Sequence, residues 1–222
     1  MPEPTSAQTE RAYLPAMGRD MLLPLYDPFT RVLGARAAHR RLLDSARIAP
    51  RHRVLEIGCG TGNLLLLAQR IHPQATVLGL DPDPAALARA RRKADRAGLE
   101  VRLDRGFADQ LPYPDTSIDR VLSAFMFHHL PLPEKQRTLR EVRRVLAPGG
   151  SLHLLDLDGP APRRDGLLAR LPQPHRRLRG HLADNTGPRI RALMHDAGLA
   201  EPAETGHGRA VLGRYTYYRA HA

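Results

Sequence analysis

Three glycines at alternate positions, Gly58, Gly60 and Gly62, follow the apolar run 54–57 in the stretch VLEIGCGTG. A strand that ends in such a loop, with a helix behind it, presents bare backbone to a ligand, where a side chain would block the approach. Further on, TVLGLDP covers residues 76–82 and puts Asp81 at the end of a second apolar strand. A carboxylate about 20 residues past a glycine loop is placed to accept hydrogen bonds from a ribose 2′-OH. Loop and acid together point to an adenosine-containing ligand.

The spacing narrows the choice. A pyrophosphate-binding loop reads G-x-G-x-x-G, because the helix N-terminus must supply donors. Here the third glycine comes one residue early, and Glu56 stands two residues before the first. A carboxylate beside the loop repels pyrophosphate and suits a zwitterion with cationic groups. S-adenosylmethionine, with its sulfonium and amino groups, is such a ligand.

With these residues in place, the chain resembles the class I S-adenosylmethionine-dependent methyltransferases, and within them the small-molecule branch that includes the ubiquinone and menaquinone methyltransferases. The pieces that carry the resemblance are VLEIGCGTG, GLDPDP, RGFADQLPYPDTSIDRVLSAFMFHHL and LREVRRVLAPGGSLHLLD, all within residues 50–158. The resemblance implies an enzyme with a Rossmann-like α/β fold: a seven-stranded, mostly parallel sheet, its last strand antiparallel, with helices on both faces. It also implies S-adenosyl-L-methionine as cofactor. Gly58, Gly60 and Thr61 would then line its methionine part, with Glu56 beside them. Asp81, with Pro82 next to it, would take the ribose hydroxyls; the competing role for Asp81 is a helix N-cap. Phe107, Ala108 and Asp109 would edge the adenine, where Asp109 as a turn residue is the alternative. Ala124 would approach the methionine segment, and Tyr26, paired with Asp27, would close over the cofactor unless it packs on the sheet.

Methyl transfer asks little of side chains, since the sulfonium is already activated and positioning in a dry pocket supplies much of the acceleration. A base is needed only if the acceptor must lose a proton. The candidates are His128 and His129 in FMFHHL, at the mouth of the site, because a neutral imidazole can take a proton near neutral pH. The competing role is packing between strand and helix. His153, in mid-strand, reads as a core residue. Phe125, Met126 and Phe127 could offer the acceptor an apolar floor, which favours a small apolar or aromatic molecule.

The elements that must position these residues alternate along the chain. Strands are expected at 54–57, 76–81, 101–104, 118–124 and 151–157, with helices at 63–72, 84–98, 133–146 and 189–197. Pro148-Gly149-Gly150 reads as a stop for the third of these helices. Two further strand-like runs reach residue 222 with no helix between them, so they should pair as a hairpin at one edge of a sheet otherwise built for burial on both faces. Residues 1–12 read as loose and 13–46 as a proline-broken helical cap, ahead of a methyltransferase domain at 47–222. Within it, the proline- and arginine-rich stretch 159–187 is a candidate lid over the acceptor, or else a surface excursion.

Composition sets outer limits. At 222 residues, one domain with a real core is expected. No apolar run approaches the ~20 residues of a membrane span, and the first ten residues have no signal-peptide core. Cys59 is the only cysteine, which excludes an internal disulfide and a cysteine metal cluster and fits a reducing cytoplasm. No metal site is expected. The net charge of +11 is nearly all arginine, with lysine only at Lys93 and Lys135. The run Arg89, Arg91, Arg92, Lys93 and Arg96 falls on an amphipathic helix whose buried stripe is Leu87, Ala90 and Ala94, so it reads as a solvated face.

Two other functions stay open on sequence alone. One is an RNA or other nucleic-acid methyltransferase, disfavoured because strand four runs into Ser-Ala-Phe-Met-Phe and lacks an Asn/Asp-Pro-Pro-aromatic grip for a base amine. The other is a cofactor-binding protein without catalysis. The acceptor molecule, the acceptor atom and the oligomeric state are not specified.

Overall fold

In a computed structural model the described residues are 35–158, 184–210 and 213–222. Tyr26, most of the expected cap and nearly all of the expected lid lie outside them. In chain order the elements are α1 (Ala35–Ala46), β1 (Arg53–Ile57), α2 (Asn63–Ile71), β2 (Thr76–Asp81), α3 (Pro84–Ala97), β3 (Arg102–Arg105), β4 (Ile118–Ala124) and a 3-10 turn at Phe127–His129. Then follow α4 (Leu132–Val145), β5 (Leu146–Leu157), α5 (Gly187–Asp196), β6 (Ala200–Ala210) and β7 (Gly213–His221).

The strands form one seven-stranded sheet in the order β3-β2-β1-β4-β5-β7-β6. Strands β1 to β5 pair in parallel, while β7 runs against both β5 and β6. The hairpin expected at one edge is therefore present: β7 is the reversed strand and β6 the edge. The order turns back at β1, between β2 and β4, which is where ligands of open α/β sheets bind at the carboxyl ends of the strands.

Helices cover both faces and make two cores. One gathers Leu55, Ile57, Leu78, Leu80, Val121 and Leu152 with residues of α4 and α5; the other gathers Val54, Val77, Leu122 and Leu155 with residues of α1 and α2. Successive strand residues point to opposite faces, so the apolar runs feed both cores at once.

Local detail corrects several expectations. The helix read at 133–146 ends at Val145, and Pro148-Gly149-Gly150 does not stop it. Those residues lie inside β5, whose pairing with β4 shifts register between Ile118 and Arg120, and Gly149 has φ 77°. The extra residues are absorbed as a bulge in an extended chain. On α3, Asp83 is the N-cap and accepts from the N–H groups of Ala85 and Ala86, Pro84 fills the first turn, and Gly98 ends the helix. Its buried stripe is Ala86, Ala90 and Ala94, with Leu87 only half-buried, and Arg91, Arg92 and Arg96 face solvent. Residues 35–46, read as part of a cap, form α1 and lie on the sheet. Ala38, Leu42, Leu43 and Ala46 are buried, the Tyr217 hydroxyl donates to the Ala38 carbonyl, and Arg120 Nε donates to the Ala46 carbonyl at 2.7 Å.

Candidate cofactor and acceptor site

The glycine loop bends sharply at the end of β1, with left-handed backbone at Gly58 (φ 66°) and Gly60 (φ 50°). Two different constraints act there. A Cβ on Gly58 would lie 2.2 Å from Met126 Cγ, so the loop and the exit of β4 are in contact. A Cβ on Gly60 would meet nothing within 4 Å; that side of the loop is open. Gly62 instead sits close to Ala90, where α2 meets α3.

The loop's N–H groups are turned inward. Gly58 and Cys59 donate to the Leu80 carbonyl, and Gly60 donates to Asp81 Oδ2 at 2.8 Å. A pyrophosphate would need those donors, so the loop is not built for one. The Gly60–Asp81 bond also shows that the glycine loop and the acid of β2 meet in space. Asp81 Oδ1 accepts from the Asp83 N–H at 2.9 Å, which leaves one lone pair on each oxygen for a ligand. Because Asp83 caps α3, Asp81 is not the cap. Burial pushes the Asp81 carboxyl up to about 6, against the pull of the two N–H groups.

Glu56 is the most unusual group of the site. It is buried, and its Oε2 has no hydrogen-bond partner. Burial, and then the neighbouring Asp81, hold its carboxyl well above the usual carboxylate range, while the Leu65 N–H and the Lys93 ammonium act the other way. Thr61 is buried beside it, with the Lys93 ammonium 3.5 Å from its hydroxyl oxygen and 2.6 Å from Asn63 Oδ1. Cys59 is buried too, and burial followed by Glu56 and Asp81 keeps its thiol protonated.

Past β3, the Gly106 N–H donates to the Asp81 carbonyl, which brings the segment from Phe107 to Asp109 to the same edge. Phe107 and Ala108 are half-buried. Asp109 Oδ2 accepts from Arg137 Nε of α4 at 2.9 Å, so one of its oxygens is already held by the protein. The Pro82 carbonyl accepts from Arg105. Ala124, half-buried at the end of β4, pairs with Leu155.

Beyond Ala124 the chain sends successive side chains in different directions. Phe125 has φ 54°, a conformation that costs an L-residue roughly 1–2 kcal/mol. Its N–H donates to the Leu155 carbonyl at 2.8 Å. Met126 lies against the Gly58 turn, and Phe127 is buried in the core under the Lys135 ammonium, 5.5 Å from its ring centroid. Of the three residues expected to form an apolar floor, Phe127 is therefore in the core instead.

The two histidines part company as well. His128 is buried, and both its backbone N–H and its ring Nδ1 meet the carboxylate of Asp156 on β5. The Leu157 N–H is a third donor to that carboxylate. Burial alone would raise Asp156, but the charge and hydrogen bonds of His128 and the Leu157 N–H outweigh it and leave the carboxyl below its ordinary value. This bond fixes the hydrogen on Nδ1 and leaves Nε2 as the ring's basic position. His129 is half-buried, its ring 4.1 Å from that of His128. His153 is a core residue as expected, hydrogen-bonded to Ser45 and Ser151, and burial pulls its imidazole down to about 3.

Asp156, Lys135 and Asn185 were not singled out as site residues by sequence. Lys135 is buried, donates to Asn185 Oδ1 at 3.0 Å, and is pulled down to about 8 by burial, against Asp156 and Asp184. A signal for Asp156 did exist: an acid closing the apolar run LHLLD at the carboxyl end of a strand. For Lys135 and Asn185, far apart in sequence, none did.

S-adenosylmethionine carries an ammonium and a sulfonium, and the site offers an orphaned carboxylate oxygen next to open backbone. The residues present fit the group. Glu56 would face its cationic part and Asp81 its ribose.

Comparison with known proteins agrees. Residues 54–150 match the family model described as a methyltransferase domain. The demethylmenaquinone methyltransferase of Thermus thermophilus is 39% identical over 153 residues, covering 68% of this chain and 69% of that protein. That of Deinococcus radiodurans is 34% identical over 205 residues, covering 90% and 84%. Among solved structures, a SAM-dependent methyltransferase from Aquifex aeolicus superposes with a TM-score of 0.69 at 19% identity, over 92% of this chain and 99% of that one, which shows the shared fold. The chain belongs to the class I S-adenosylmethionine-dependent methyltransferases, in the family of the demethylmenaquinone methyltransferases.

Proposed function

We propose that the acceptor is the ring carbon of a hydroxylated naphthalene, a quinol that lacks its methyl group. The observation that carries this reading is the reach of the likeness to the Deinococcus radiodurans enzyme. It covers 90% of the chain and so extends well past residues 54–150, the part that matches the methyltransferase domain model. No helix among the described residues is long and apolar enough to cross a membrane. A small acceptor is favoured over nucleic acid, since the same relatives act on a quinone by name.

When bound, the cofactor supplies a sulfonium methyl that needs no further activation. The residues of this chain do the rest. Glu56 would hold the cationic end, Asp81 the ribose, and Phe107 to Asp109 the rim of the adenine. Transfer would form a carbon–carbon bond with the acceptor's electron pair, and the pair of the broken carbon–sulfur bond would stay with the departing thioether, so no outside oxidant or reductant is needed. One proton must leave the acceptor to restore the aromatic ring. His128 and His129, just past the end of β4, are the candidates to accept it, and Asp156 holds the His128 ring through Nδ1.

The test is transfer of a labelled methyl from S-adenosylmethionine to 1,4-naphthoquinol kept reduced without oxygen, with total RNA as a parallel acceptor. Labelled 2-methylnaphthoquinol, made by the wild type and made more slowly by Asp81→Ala at low S-adenosylmethionine, is the expected result. Label in RNA alone would overturn the reading.

A further inference from the structure

Phe125 is a poor choice for folding alone. Its φ of 54° suits glycine or asparagine, and for a bulky side chain such an angle is an outlier. The angle is pinned, because the Phe125 N–H is bonded to the Leu155 carbonyl and the next residue lies against the Gly58 turn. Burial compensates only in part, since the ring is half-buried against the core under α1 and α2. Strain of this kind at the edge of a ligand site points to a function for the ring.

The ring does not stand alone. Tyr215, at the start of β7, meets it edge-on with centroids 5.9 Å apart, and His39 of α1 lies 6.1 Å away on a tilt. Tyr215 is half-buried as well, and β7 pairs it with Leu157, at the carboxyl end of β5. Room for its ring is made by Gly208 on β6, where a Cβ would fall 2.4 Å from the ring's Cζ. His39 is buried, and burial pulls its imidazole down to about 4, so it is uncharged near neutral pH. Three uncharged rings thus meet at the carboxyl edge of the sheet, one residue along the chain from the side chain that touches the cofactor loop.

We propose that Phe125 and Tyr215, backed by His39, form the shelf on which the flat ring of the acceptor rests. Resting on the reading of an aromatic quinol acceptor, this assigns acceptor recognition to Phe125 and Tyr215. Offset or edge-on contact between rings gives both affinity and orientation, and an uncharged shelf suits an uncharged ring. The strained backbone holds Phe125 at the site before the acceptor arrives.

The experiment uses Phe125→Asn, which suits the backbone angle and removes the ring, and Tyr215→Leu, which tests the shelf without touching that angle. Three quantities are read for each: the melting temperature, the affinity for S-adenosylhomocysteine, and the affinity for 1,4-naphthoquinol with S-adenosylhomocysteine bound. Both variants should weaken naphthoquinol binding by about three- to tenfold, the worth of a ring–ring contact. Both should keep S-adenosylhomocysteine affinity, and Phe125→Asn should melt no lower than wild type. If the wild type binds and methylates naphthoquinol and both variants bind it equally well, the shelf is refuted and the acceptor reading stands. If the wild type neither binds nor methylates naphthoquinol, the acceptor reading fails and takes the shelf with it.

Discussion

Glu56 at the end of β1 and Asp156 near the end of β5 are both buried acids, two strands apart in the sheet, yet they live in opposite states. Asp156 is complete: the His128 N–H, the His128 ring and the Leu157 N–H all donate to it, and its carboxyl lies below its ordinary value. Glu56 has one oxygen without a partner, and its carboxyl lies well above. A buried polar group left unpaired is costly, and a fold keeps one where something outside the chain completes it. The difference separates a carboxylate that the chain itself completes, and that holds His128, from one that the chain leaves incomplete.

The sharpest way to break this comparison is to remove each acid in turn. Asp156→Ala leaves three donors facing a void and should cost about 3–5 kcal/mol, the range seen when one partner of a buried charged pair is lost. Denaturant unfolding measures it, and a loss below 1 kcal/mol would mean that the three bonds contribute little.

Asp81→Ala comes next. It should weaken S-adenosylhomocysteine binding by roughly 1.5–3 kcal/mol, the value of hydrogen bonds to a charged group. An unchanged dissociation constant in the folded variant would remove Asp81 from the ribose site. Burial also lifts Asp81 to about 6. A carboxyl whose folded pKa is raised stabilises the protein below its unfolded value near 4, and that contribution is lost as pH rises through 6. The free Asp81→Asn variant should therefore gain on wild type between pH 4 and pH 7 in melting experiments, even as it loses ligand.

Glu56→Gln should act in the same sense with a smaller effect on binding. The isosteric amide no longer has to ionise inside the protein, so the ligand-free variant should equal or exceed wild-type stability, increasingly so as pH rises above the unfolded value near 4.5. S-adenosylmethionine binding should fall by about 1–2 kcal/mol, since a charge-assisted contact is lost. Binding to the wild type should release a proton from Glu56, seen by calorimetry as a heat that depends on the buffer. No buffer dependence would place the cation elsewhere. The smallest effect is expected at Arg92, exposed on α3: Arg92→Ala should change stability by less than about 0.5 kcal/mol and leave ligand binding alone.

Much of this molecule is local and was therefore legible in the chain. The glycine loop, Asp81, the alternation of strand and helix and the final hairpin follow from backbone conformation, short-range pattern and turn chemistry, all carried by neighbouring residues. The likeness of the motifs to known methyltransferases did the rest for the activity. Tertiary structure decided what depends on groups distant in sequence. It turned the loop N–H groups inward to Leu80 and Asp81, gave the cap of α3 to Asp83, and absorbed Pro148-Gly149-Gly150 into β5 because pairing with β4 outweighs a local stop signal. It fastened His128 to an acid 28 residues away and brought Tyr215 to Phe125 through strand pairing. Whether a buried acid is satisfied or left incomplete depends on partners that only the folded chain assembles, which is why Glu56 and Asp156 look alike in sequence and differ in the structure.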